Sequence, residues 1–95
     1  MILKTMRDIY ALEIGDYIIW HARKGIQLGV IIERKVGKKN TKITWHKLID
    51  TIYNFKSGET NGFNHHQVNL EFVVCHYPSN YFEKVSEDEA LAMLI

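Results

Sequence analysis

Five histidines and a single cysteine are the side chains of this sequence best suited to chemistry. They include the donor types of a zinc site, but their spacing works against one. His65 and His66 are neighbours, as are Cys75 and His76, and neighbours on a strand point to opposite faces. No Cys-x-x-Cys or His-x-x-x-His spacing occurs. The same adjacency parts the Cys75 thiol from His76 as its base, so Cys75 reads as a small half-buried residue. The stretch SGETNG lacks the Lys-Ser/Thr ending of a phosphate-binding loop. Carboxylates are scattered, with the densest run, Glu87-Asp88-Glu89, near the C-terminus. The expectation is a chain without metal, cofactor or catalysis.

The cations are better organised. ERKVGKKNTK places Arg34, Lys35, Lys38, Lys39 and Lys42 around one turn, with Arg23 and Lys24 in the turn before it. Such clusters hold nucleic-acid backbones by displacing counterions from phosphates. His21, His46 and Tyr17 would stand beside them to stack or hydrogen-bond. Two other readings remain open: docking onto an acidic protein surface, or a solvated turn whose charges keep a sheet edge from aggregating. Charge is also unevenly spread. Residues 1–56 carry eleven bases and five acids, a balance of +6, and residues 57–95 carry one base and six acids, a balance of −5. A polarised molecule would steer an anionic partner to one side, unless the two halves interleave in the fold.

Aromatic side chains offer a further possibility. Tyr17, Tyr53, Phe55 and Tyr77 would be enough to wall a cage for a methylated cation, although core packing and strand preference account for them equally. The dipeptide Trp-His occurs twice, at Trp20-His21 and Trp45-His46. Each Trp lies two positions after an apolar residue, Ile18 or Ile43, so alternation turns both indoles to the core and both imidazoles outward.

These residues need strands to hold them. Gly15-Asp16 reads as a tight turn feeding a strand over 17–21. ARKG turns the chain into a second strand over 26–36, with Leu28, Val30 and Ile32 on one face. Gly29 inside it predicts a bulge or a close backbone approach. GKKN is the next hairpin turn, followed by TKITWHKL as a third strand, and IDTIYNF continues or follows it. LEFVVCHY is a strand that Pro78 ends, and YFEKV is the last. Ser86 with Glu89 predicts a capping box opening a short helix, with Val85 and Ala90 at the staple positions. That helix is too short to stand alone, so Leu91, Met93, Leu94 and Ile95 must rest on the sheet or on a partner. Ile2, Met6, Ile9 and Tyr10 have helical spacing, while MILKTM suits an edge strand equally well.

Ninety-five residues make one domain. A lone cysteine fits a reducing compartment. No window approaches the roughly 20 apolar residues of a membrane span, and MILKTMRDIY lacks the apolar run of a signal peptide. The expected location is cytoplasmic, the host cytoplasm if the chain is viral.

EIGDYIIW, LGVIIE, ITW and NYFEKV together resemble a small SH3-like β-barrel, in the style of Tudor and KOW modules and of small barrels among bacteriophage proteins. The resemblance covers residues 13–85. It implies a mainly β fold of about five strands, with a capping helix over 86–95 completing a single domain over 1–95. It also implies a non-catalytic binding module for nucleic acid, for transcription, replication or ribosomal machinery, or for modified peptide side chains. The expected site is the basic hairpin, Arg34, Lys35, Lys38, Lys39 and Lys42, with Arg23, Lys24, His21 and His46. The alternative is a protein-interaction or assembly component, a viral regulator or virion subunit, docking or pairing with its own copies through the C-terminal helix.

Overall fold

Gly15 has φ +96°, a backbone region that glycine enters without steric penalty. Its N–H donates to the Ile31 carbonyl at 2.9 Å, and the Ile31 N–H donates to the Asp16 carbonyl at 2.8 Å. This turn aligns the two strands that follow it. A computed structural model describes residues 1–37, 41–52, 55–56, 65–67 and 80–95, with 55–56 and 65–67 defined through their backbone alone.

The elements in chain order are β1 (Ile2–Leu3), α1 (Met6–Tyr10), β2 (Tyr17–Ala22), β3 (Gly25–Val36), β4 (Thr41–Asp50), β5 (Phe55–Lys56), β6 (His65–Gln67), β7 (Tyr81–Val85) and α2 (Glu87–Leu94). The strands form one antiparallel sheet in the order β1-β7-β2-β3-β4-β5, with β6 also pairing β4. Among the described residues no pairing joins β1 to β5 or β6, so the described sheet is open. The expected strand LEFVVCHY and Cys75 lie outside the described residues. The chain is thus mainly β with a short C-terminal helix, and no helix among the described residues is long and apolar enough to cross a membrane.

Both faces of the sheet carry apolar residues. On one, Leu3, Ile9 and Leu12 from the N-terminal segment pack with Ile18, Ile31, Ile43, Trp45 and Phe82. On the other, Ala90 of α2 packs with Ile19, Leu28 and Val85. The two indoles share the first face, as alternation predicts, but Trp45 alone is buried and Trp20 is half-buried at the margin. His21 and His46 fall on the second face, which also carries a core, so both are half-buried rather than directed to open solvent.

Two register shifts break strict alternation. One falls between Ile31 and Glu33 of β3, where Ile32 is the extra residue. It removes Ile32 from the face of Leu28 and Val30, and Ile32 stands 40% exposed. The other falls beside Gly29, opposite Leu48. Gly29 itself is a close approach, because a Cβ there would lie 2.3 Å from Trp45 Cε3.

The N-terminal segment is both strand and helix. Thr5 caps α1 by accepting from the Asp8 N–H at 3.3 Å, and the Lys4 and Thr5 N–H groups donate to Asp8 Oδ2. Those donors, Lys4 foremost, hold the Asp8 carboxyl below its usual value. At the other helix, Ser86 Oγ accepts from the Glu89 N–H at 3.2 Å. Glu89 Oε1 accepts from the Ser86 hydroxyl at 3.3 Å, so the cap is made through these contacts. Val85 and Ala90 are both buried in one cluster, as a staple requires. Ser86→Ala is expected to cost about 1 kcal/mol, read as a lower denaturation midpoint with an unchanged slope. An unchanged midpoint would show that the cap contributes nothing.

The two halves of the chain interleave. β7 lies between β1 and β2, Lys84 pairs with Asp16 at 3.3 Å and Glu83 with His21 at 2.8 Å. The polarity read from the sequence is therefore partly cancelled within the sheet.

Candidate nucleic-acid interface

β3 stays paired with β2 through Val30 and with β4 as far as Val36. Beyond Glu33 and Thr44, where β6 stops, the β3–β4 hairpin continues as a two-stranded ribbon among the described residues, with Ile43 still buried in the first core cluster. Ile32, Glu33, Arg34, Lys35 and Val36 are all exposed along it. Val36 is registered with Thr41, and the expected turn between them rests on residues that are not described. Lys38 and Lys39 lie outside the described residues.

The ribbon cations differ in their surroundings. Arg34 is committed to the fold: its Nε donates to the Leu12 carbonyl at 2.7 Å and its Nη2 to the Tyr10 carbonyl at 2.6 Å. These groups follow or end α1, where helical carbonyls lack partners, so Arg34 fastens the base of the ribbon to the N-terminal segment. Lys42 Nζ lies 3.1 Å from Glu33 Oε1, which also accepts from the Thr44 hydroxyl at 3.2 Å. The Lys42 hydrogen bond, then that of Thr44, holds the Glu33 carboxyl below its usual value. Lys35 and Lys42 are registered directly opposite each other. Like charges in that relation repel, and a bound anion would relieve the repulsion.

The other expected site residues lie elsewhere. Arg23 and Lys24 form the two-residue turn between Ala22 and Gly25. At a strand rise of about 3.3 Å, eleven residues along β3 put Lys24 roughly 35 Å from Lys35. The basic turns therefore sit at opposite ends of one strand and do not merge. His21 belongs to the Arg23–Lys24 end. Its ring stacks on Tyr81 with centroids 4.4 Å apart and planes 16° apart, and its Nε2 lies 2.8 Å from Glu83 Oε1. His46 is registered with Val30 and His65 in mid-sheet. Of the residues considered for an aromatic cage, Tyr17 packs against the second core cluster. Tyr53, Tyr77 and the Phe55 side chain lie outside the described residues.

One polar constellation escaped sequence reasoning. Asp50 is fully buried, and its Oδ2 accepts from Gln27 Nε2 at 2.9 Å and Lys47 Nζ at 3.1 Å. Its Oδ1 accepts from the Ile52 N–H at 3.0 Å. The Leu48 bulge brings Lys47 and Asp50 to one face, and no local pattern announced it. Among the described residues no group of three His, Cys, Asp or Glu side chains is placed to hold a metal. No protein-family model, characterised protein or solved structure matches the chain, so the site is read from its geometry alone.

Proposed function

We propose that this chain is a non-catalytic binding module, an SH3-like small barrel that holds nucleic acid through the basic β3–β4 ribbon. The observation behind this reading is the end of the β3–β4 hairpin, where Ile32 to Val36 of β3 are exposed and Lys35 and Lys42 stand side by side. A two-stranded β-ribbon is one of the elements that the major groove admits. Lysines there would meet phosphates, which position a duplex without reading its sequence. Arg34 keeps its charge beside them while anchoring the hairpin.

Labelled duplex and single strand titrated at two salt concentrations test this. Binding is expected to show little sequence preference and to weaken with salt by a slope of about −0.9 per phosphate neutralised on duplex. Lys35→Glu with Lys42→Glu should weaken binding at least tenfold and flatten the slope. Glu33→Gln should strengthen binding, because it frees Lys42 and removes a negative charge from the hairpin. Absence of binding at low salt, or equal binding by wild type and the double variant, would overturn the reading. A protein partner is the second reading, favoured by the exposed Leu91 and Leu94 of α2; its binding would survive nuclease.

A further inference from the structure

α2 carries more apolar surface than its seat on the sheet uses. Ala90 is buried and Met93 packs beside it against the second cluster, whereas Leu91 and Leu94 are 45% and 40% exposed. Leu91 and Leu94 are three residues apart and therefore share a side of the helix. Glu87, four residues before Leu91, extends that side, with Asp88 next to it. No ion pair joins Glu87 or Asp88 to a described cation, and the last turn of α2 holds no base. The helix thus presents a leucine pair bordered by acid.

The ribbon presents the complement. Ile32 and Val36 are 40% and 43% exposed, and Lys35 and Lys42 are registered side by side on the ribbon face opposite Val36. The two surfaces also leave the sheet at the same end. Val85, which leads into α2, is registered with Tyr17, and Tyr17 with Val30, where the ribbon begins. No ion pair joins their described residues within one molecule. Two copies related by a two-fold axis can set each ribbon on the other's helix, which closes the assembly with two equal contacts. Lys35 and Lys42 then meet Glu87 and Asp88. Helix-to-helix pairing would instead crowd the acidic turns of both copies without a cation between them.

We propose that the chain pairs with a second copy of itself, the basic ribbon of each docking on the Glu87–Leu91–Leu94 side of α2 of the other. This stands apart from the nucleic-acid reading, although both uses need Lys35 and Lys42. The test uses full-length protein freed of nucleic acid by nuclease and a high-salt wash, followed by sedimentation velocity across a concentration series at low salt. Wild type should sediment as a dimer. Lys35→Glu/Lys42→Glu and Glu87→Lys/Asp88→Lys should each raise the dissociation constant at least tenfold, while circular dichroism shows both folded. Mixing the two variants should restore the dimer, because every contact in the mixed pair is again matched, and a chain with all four changes should pair with itself. A wild type monomeric throughout, a ribbon variant that still pairs, or no recovery on mixing would each overturn the proposal.

Discussion

Asp50→Ala is expected to destabilise the fold by about 3–5 kcal/mol, the usual cost of removing one partner from a buried ion pair. Asp50 is fully buried and the Lys47 side chain is 10% exposed. The carboxylate accepts from a lysine, a glutamine amide and a backbone N–H at once. Without it, the Lys47 ammonium stays in the interior having lost a compensating charge, and the donors of Gln27 and Ile52 lose their acceptor. Total stability for a domain is about 5–15 kcal/mol, so the variant should be largely unfolded or melt far below wild type. A urea titration followed by tryptophan fluorescence measures this. Replacing the three described side chains, with Gln27→Leu, Lys47→Met and Asp50→Leu together, should cost less than Asp50→Ala alone, because an apolar set of similar volume asks for no desolvation of charge. A wild-type urea midpoint for Asp50→Ala would show that the pair is solvated.

Trp45→Ala should cost about 3–5 kcal/mol through lost burial and the cavity left behind. The indole is 3% exposed and meets Phe82 edge-on, with ring centroids 6.0 Å apart and planes 84° apart. Its six-membered ring also covers Gly29, where a Cβ would lie 2.3 Å from Cε3 and 2.9 Å from the His46 carbonyl oxygen. Gly29→Ala alone should therefore cost roughly 1–3 kcal/mol as overpacking. Combined with Trp45→Ala, part of that penalty should vanish, because the indole is gone while the carbonyl contact remains. Four denaturation curves make the cycle. Strict additivity would mean that Trp45 does not sit over Gly29.

What the sequence made legible is what neighbouring residues decide. Gly15-Asp16 opens the first long strand, a turn falls within ARKG, Tyr81–Val85 is a strand, and Ser86 starts the last helix. Each depends on a few adjacent residues. The bulges at Ile32 and Leu48 were less legible, because an extra residue is fixed by the partner strand and leaves no mark on its own. Strand alternation therefore misassigned Ile32, and it hid that Lys47 and Asp50 share a face. Pairs distant in sequence were invisible for the same reason. His21 meets Glu83 62 residues away, and Arg34 reaches back to Tyr10 and Leu12. The basic residues were found by composition, but their division between two ends of β3 follows from strand length, and the role of Arg34 from where α1 ends.

The pairing of β1 with β7 bears on how this chain is made in the cell. Leu3 is fully buried, and its registered partner is Phe82. At about 5–20 residues per second, the ribosome needs on the order of 4–16 s to add Phe82 after Leu3. During that time the β2–β3–β4 meander can already form from local contacts, but its β2 edge stays bare and Leu3 has no permanent seat. A chain ending before Phe82 would therefore lack the strand that covers the β2 edge, and a bare edge of that kind is open to pairing with another chain.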